Sequence, residues 1–368
     1  MTRFRPTFVE VDLDAVRHNV RLLKPERAEL LAVVKADGYG HGDAPVARAA
    51  LEAGATRIGV ALVEEGLGLR ERGIGAPILV LSEFPAGSEK EALAAGLTPS
   101  VYTLEGIARA AEAAGTIGRS VGVHLKLDTG MHRVGLWPPE VAPAFARHIL
   151  DLGLELEGLW THFAASEEDG LGTRGQLARL LAARDALAAE GIVPSMLHAA
   201  NSAATLLYPE THLDLVRPGA AVYGVDPGGG IGPRAGLHPA LTWRSAVTMV
   251  KRLPAGERLS YGGRYILERD STVATVPVGY GDGYPRALGG RAEVLIRGRR
   301  HRVAGTVTMD QLLLDCGDAE VAAGDEVVLL GAQGAESVTA EELAGHLATI
   351  GYEIVTAISE RVPREYVG

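Results

Sequence analysis

The chain has 368 residues, with 46 acidic against 36 basic side chains and a formal charge of −10. Apolar residues make up 47% and charged residues 22%, an ordinary globular mixture that excludes wholesale disorder, a collagen repeat and a disulfide scaffold. The acidic balance disfavours nucleic acid and anionic membrane as partners, and Cys316, the single cysteine, can form no intrachain disulfide.

No run of about 18 uncharged apolar residues occurs and residues 1–10 lack an apolar core, so a cytoplasmic location is expected. Only five of the basic residues are lysines: Lys24, Lys35, Lys90, Lys126 and Lys251. A lysine inside an apolar run therefore asks for a reason that arginine could not satisfy, such as an amine able to lose its proton.

In chain order, the run Phe8–Leu13 precedes a helix over Ala15–Leu23 and has no place in the strand series that follows, so residues 1–13 are expected to pair with the C-terminal part. Eight β-branched apolar runs then alternate with helical stretches: Glu29–Ala36, Arg57–Leu62, Pro77–Ser82, Leu97–Tyr102, Ser120–Asp128, Leu154–Phe163, Ser195–Ala200 and Leu213–Gly219. Helices are expected over Asp43–Ala53, Leu104–Ala114, Pro139–Leu152 and Thr173–Glu190.

Eight βα repeats predict a closed (β/α)8 barrel; an open doubly wound sheet would want GxGxxG, which Gly38-Tyr39-Gly40-His41-Gly42 does not supply. The stretch Asp226–Gly236 reads as a linker. Beyond it, Ala240–Leu253, Thr272–Gly279, Ala292–Ile296, His301–Leu314 and Glu326–Leu330 predict a small, mainly-β domain. The run Arg297, Arg299, Arg300, Arg302 reads as a solvated hairpin, and a helix over Ala340–Ile350 opens with a Thr339/Glu342 capping box. The expected division is therefore α/β overall, with a TIM-like barrel over 1–235 and a β-domain over 236–368.

The unusual polar residues fall at strand C-terminal ends, the rim where such barrels build active sites. Lys35 closes the first strand, Asp128 and Arg133 follow the fifth, His162 is near the end of the sixth, Asn201 and Ser202 follow the seventh, and Arg217 and Gly219 end the eighth. Burial at the end of Leu31-Ala32-Val33-Val34 disfavours an ammonium and frees a nucleophile, although a lysine paired with Asp37 is an alternative. Ser202 either caps a helix or offers its hydroxyl to a phosphate. An imine-forming lysine sharing a rim with a phosphate seat points to pyridoxal 5′-phosphate.

Val33-Val34-Lys35-Ala36-Asp37-Gly38-Tyr39-Gly40-His41-Gly42 resembles the cofactor-lysine motif of bacterial alanine racemases. The likeness continues, in the family's order, through Lys126–Arg133, Thr161-His162-Phe163, Ala200-Asn201-Ser202-Ala203, Val216-Arg217-Pro218-Gly219, Ser260-Tyr261-Gly262, Gly279–Gly283 and Thr308-Met309-Asp310-Gln311. The resemblance implies a barrel plus β-domain, a homodimer whose β-domains complete each other's sites, and interconversion of L- and D-alanine that supplies D-alanine for peptidoglycan. It also implies Lys35 and the other subunit's Tyr261 as bases on opposite faces of Cα.

A free phenol is only about one part in a thousand ionised at pH 7; the resemblance supplies His162 beside the tyrosine and Arg217 at the pyridine nitrogen. It implies Tyr39, Tyr352, Ser202 and Gly219 at the phosphate, with Asn201 also in the cofactor site, and Arg133 at the cofactor's phenolic oxygen and the substrate carboxylate. Met309, Asp310 and Tyr280 fall on the substrate side, and Lys126 matches a position that carries a carbamate.

Three departures are plain: His132 stands where glycine is common, and Thr306 and Thr308 replace Arg and Cys or Ser. They leave a broader-specificity or serine racemase open. A decarboxylase of similar architecture would want an acid at Arg217 and a cysteine in the partner loop. A non-catalytic pyridoxal phosphate carrier would lack the β-domain.

Overall fold

The eight apolar runs form eight parallel strands that pair in sequence and close on themselves in the computed structural model, which describes residues 4–368. They are Glu29–Val33, Arg57–Val60, Ile78–Val80, Leu97–Val101, Gly122–Lys126, Glu155–Trp160, Met196–His198 and Leu215–Val216, the last bonding back to the first through Glu29↔Leu215. Branched side chains such as Leu30, Leu31, Ile58, Ile78 and Leu125 are fully buried, each contributing about 1.5–3 kcal/mol over its exposed state. Helices follow the strands, among them Asp43–Glu52, Leu104–Ile117, Ala142–Asp151 and Gly170–Ala189. The expected barrel is present.

The strands are shorter than the apolar runs: every run loses its C-terminal residues to rim loops, and several also lose one or two residues at the start. Lys35 is thus not the last strand residue; it opens a left-handed turn, Lys35–Tyr39, in which Ala36, Asp37, Gly38 and Tyr39 all have positive φ.

The chain divides into two compact units. One comprises Ala15–Gly38 and Asp43–His238, and holds the barrel. The other comprises residues 4–14, Tyr39–Gly42 and Pro239–Gly368. Residues 1–3, part of the N-terminal segment expected to pair with the β-domain, lie outside the described residues. Phe8–Asp12 pairs antiparallel with Leu241–Ala246 and parallel with Arg364–Val367, burying Val9 and Val11 on one face. The second unit is a mainly-β domain around a sheet that is ten-stranded among the described residues.

Several expected elements divide. Ala240–Leu253 becomes two strands, Leu241–Ala246 and Met249–Leu253, because the chain changes partners midway, from Glu326–Gln333 to Ser271–Val276. His301–Leu314 is likewise split into Arg299–Val303 and Leu312–Asp315 by a loop entered at Gly305, φ 76°. The expected long helix stops at Gly345 and restarts as Gly351–Thr356, since Ala348 at φ 55° turns the chain between them.

Thr339 does cap that helix, accepting the Glu342 N–H at 3.1 Å, but the Glu342 carboxylate is held by Arg300 at 2.6 Å instead of reaching back. Asp226–Gly236 is more ordered than a linker: Asp226 accepts the N–H groups of Gly230 and Gly232, both at 2.7 Å, starting a short helix, Ile231–Ala235. The arginine run lies on the expected hairpin, Glu293–Ile296 with Arg299–Val303. Among the described residues no helix is long and apolar enough to cross a membrane.

Candidate active site

The barrel rim gathers the positive charges that the sequence singled out. The Lys35 amine is half-buried, and desolvation first, then the Arg133 charge, lower its pKa against an opposing pull from Glu65. Lys126, the last residue of the fifth strand, is buried; desolvation, then Arg133 and Arg217, bring its pKa down to about 7. His162 is pushed well below the usual imidazole range by desolvation and then by Arg217, Lys126, Arg133 and Lys35, so it is neutral at pH 7. Two arginines and two lysines of lowered pKa around one neutral imidazole give the rim a positive character suited to an anionic ligand.

Arg217 follows the eighth strand and is buried. Its guanidinium donates to His198 Nδ1 at 2.8 Å, Thr161 O at 2.7 Å and Ala199 O at 3.0 Å. Desolvation lowers its pKa to about 9, which still leaves it cationic at neutral pH, as three acceptors and no acid require.

Beneath it, His198 is within 2.8 Å of His124, and both imidazoles are held neutral by burial. Trp160 forms the floor: the Lys126 amine lies 4.7 Å and the Arg217 guanidinium 4.6 Å from its ring centroid. Sequence reasoning missed Trp160 and His198. Both sit at strand ends beside chosen residues, and a polar residue inside an apolar strand was the available signal.

Glu65 was missed as well. Its carboxylate accepts the N–H groups of Ala36 at 2.7 Å, Ala61 at 2.8 Å and Leu62 at 3.0 Å, tying the left-handed turn after Lys35 to the start of the helix Val63–Glu71. Left-handed residues with a Cβ cost about 1–2 kcal/mol each, so such a turn needs bonds of this kind.

Asn201, not Ser202, caps the helix Ser202–Leu207, accepting the Ala204 N–H at 3.0 Å and the Ser166 hydroxyl at 2.7 Å. The Ser202 hydroxyl accepts the N–H groups of Gly219 at 2.9 Å and Ala221 at 3.3 Å, which leaves its proton to donate. Asp128 accepts the N–H groups of Gly130 and His132, both at 3.0 Å, folding the turn that carries Arg133. The Arg133 guanidinium is exposed and has no bonded partner among the described residues. His132 in that turn has φ 54°, which accounts for glycine being common there.

The other unit holds two further groups. Tyr39 and Tyr352 meet edge to face with centroids 6.2 Å apart. Their segments pack so closely that a Cβ on Gly40 would run into the Val355 carbonyl. Separately, Tyr261, Tyr280, Met309 and Asp310 line a hollow of about 400 Å3 with Arg286, Thr306 and Thr308. Tyr261 is 74% exposed, and Met309 and Tyr280 are also exposed. Asp310 is paired with Arg361 at 2.7 Å, whereas the Met309 N–H has no partner among the described residues.

An amine with a lowered pKa, a serine proton left to donate and an unpartnered arginine on the rim fit an aldehyde-bearing phosphate such as pyridoxal 5′-phosphate. Comparison with known proteins identifies the family. The model of the alanine racemase N-terminal domain matches residues 11–227, and that of the C-terminal domain matches 240–366. The alanine racemase of Symbiobacterium thermophilum is 52% identical over 370 residues, covering 99% of this chain and 98% of that protein. That of Frankia casuarinae is 48% identical over 366 residues, covering 97% and 95%. Among solved structures, alanine racemase from D-cycloserine-producing Streptomyces lavendulae matches with a TM-score of 0.94 at 42% identity, over 100% of this chain and 98% of that one. The Bacillus anthracis enzyme, solved with bound L-Ala-P, matches with a TM-score of 0.92 at 38% identity, over 100% and 96%. With both domain models matched in order and relatives aligned from end to end, the chain belongs to the alanine racemase family of isomerases.

Proposed function

We propose that this protein interconverts L- and D-alanine with pyridoxal 5′-phosphate, using Lys35 and the Tyr261 of a second copy as two bases, and so supplies D-alanine for peptidoglycan. The observation that carries the reading is the amine of Lys35, with its pKa lowered by burial and by Arg133, on a rim shared with Arg133, Lys126, His162 and Arg217.

When bound, the cofactor supplies an electron sink that acidifies the substrate Cα–H. The chain's own residues do the rest. Lys35 holds the cofactor and moves a proton at Cα on one face, for which its amine must be neutral; its lowered pKa favours that state. Tyr261 moves the proton on the other face through its phenolic oxygen.

Arg217, fixed by three acceptors, would face the pyridine nitrogen as a cation that does not readily release a proton. Ser202 would give its hydroxyl proton to the phosphate, with Gly219, Tyr39 and Tyr352 around it and Asn201 holding the helix start. Arg133 would hold the cofactor's phenolic oxygen and the substrate carboxylate, with the Met309 N–H of the second copy as a further donor and that copy's Asp310 and Tyr280 beside it. Lys126, neutral in part at pH 7, would take up carbon dioxide and present the resulting anion to Arg133.

A homodimer follows from the same reading, and exposed Tyr261, Tyr280 and Met309 are apolar surface suited to being covered. The buried lone thiol of Cys316 suits a cytoplasmic setting. Incubation with L-alanine in deuterium oxide tests the reaction class: deuterium at Cα and loss of optical rotation are expected, while a carrier gives neither. Chiral chromatography of a panel of amino acids then separates alanine from serine and larger substrates.

A further inference from the structure

We propose that Ser260 and Thr306 form a clasp that fixes the backbone of Tyr261, making Thr306 a positioning residue for proton transfer by that phenol; the proposal rests on the assignment of Tyr261 as a base. Ser260 has φ 60° and ψ −172°, a conformation nearly confined to glycine. A serine persists there only when its neighbours over-determine it, and the neighbours are visible. The Ser260 hydroxyl donates to the Thr306 carbonyl at 2.6 Å. The Thr306 hydroxyl donates in return to the Tyr261 carbonyl at 3.0 Å. The Gly263 N–H donates to the Ser260 carbonyl at 3.1 Å.

The two loops can close on each other because residue 305 is glycine. A Cβ at Gly305 would lie 2.9 Å from the Leu259 carbonyl and 3.1 Å from the Ser260 Cβ, and its φ of 76° disfavours any side chain. Within its own chain Tyr261 is exposed, and the clasp holds it by its backbone carbonyl. Thr308, two residues on, both donates to the Gln311 carbonyl at 2.8 Å and accepts its N–H at 3.1 Å, closing the turn that presents Met309. The loop that clasps Tyr261 is thereby anchored beyond Thr306 as well. Proton transfer is sensitive to misplacement on the scale of an ångström, so a loosened backbone at Tyr261 slows the step it performs and no other.

The test uses the full-length protein with its cofactor and three variants: Thr306→Val, which keeps the shape and loses the donor, Thr306→Ser, which keeps the donor, and Tyr261→Phe. Initial wash-in of deuterium at Cα is followed from each enantiomer of alanine separately. Tyr261→Phe identifies the enantiomer that depends on the phenol. Thr306→Val is expected to slow wash-in from that enantiomer about tenfold and to leave the other unchanged, with Thr306→Ser close to the parent. Amide exchange in the peptide covering residues 258–266, measured without substrate, should be faster in Thr306→Val than in Thr306→Ser.

Parental wash-in of both enantiomers in Thr306→Val, alongside one silenced enantiomer in Tyr261→Phe, would overturn the clasp and leave the role of Tyr261 standing. An equal fall for both enantiomers would overturn it too, because a general structural defect acts on both faces. Should Tyr261→Phe silence neither enantiomer, the assignment of Tyr261 itself fails and the clasp goes with it.

Discussion

Arg217 donates to Nδ1 of His198 at 2.8 Å, so a buried neutral imidazole, rather than an acid, fixes the guanidinium at the barrel mouth. A carboxylate there would offset part of the arginine's charge, whereas an imidazole orients it and leaves the charge whole. His198→Leu removes the acceptor and leaves a buried N–H without a partner, a loss of about 1–3 kcal/mol. A lower denaturation midpoint and weaker cofactor retention on dialysis are expected. An unchanged midpoint together with unchanged retention would show that the bond does not hold Arg217.

Lys126 tests the pH dependence of the rim. Its lowered pKa of about 7 means that the amine is mainly neutral above pH 7 and mainly ammonium below it. Only the neutral amine can add carbon dioxide, forming the N–C bond and releasing one proton. After equilibration with 13C-bicarbonate, a carbamate resonance is expected at pH 8, fading as the pH falls through about 7 and absent from Lys126→Ala. A spectrum without that resonance at pH 8 would remove the carbamate from the account.

Tyr261→Phe should slow racemisation by roughly 10²- to 10⁴-fold, the usual range for a lost acid–base group. The two enantiomers are equal in free energy, so kcat/KM must fall by the same factor in both directions. The difference between the faces appears instead in isotope wash-in, which should survive for one enantiomer only. Survival for both would mean that another group serves the second face.

His132, at φ 54°, occupies a left-handed position that suits glycine. Its ring lies edge-on to Trp137 with centroids 4.9 Å apart. His132→Ala loses that contact and keeps the strain, while His132→Gly loses the contact and relieves it. The alanine variant should therefore be the less stable of the two by about 1 kcal/mol, read from their thermal midpoints; the reverse order would contradict the strain argument.

The barrel was legible because each strand is an apolar run and each is followed by a helix of the right period, so Leu31, Ile58 and Leu125 announced themselves. Strand ends were harder: Val34 and Lys35 continue the apolar texture, but Lys35 leads into a left-handed turn held by Glu65, a residue 30 positions away whose role depends on tertiary contact. The break at Ala348 was hidden for a related reason, since apolar period runs through both short helices and nothing in an alanine signals positive φ. At the site, Lys35 and Lys126 stood out because lysine is scarce here. Trp160 and His198 read as ordinary core residues until the cations resting on one and bonded to the other were in view. The two threonines that depart from the family's pattern gained a physical reading only from the bonds their hydroxyls make.

The most direct measurement of the central claim is borohydride treatment of the purified protein followed by mass mapping of its peptides. A reduced pyridoxyl adduct on the peptide bearing Lys35, and its absence from Lys35→Ala, is the predicted result. An adduct on Lys126 or any other lysine, or no adduct at all, would contradict the account.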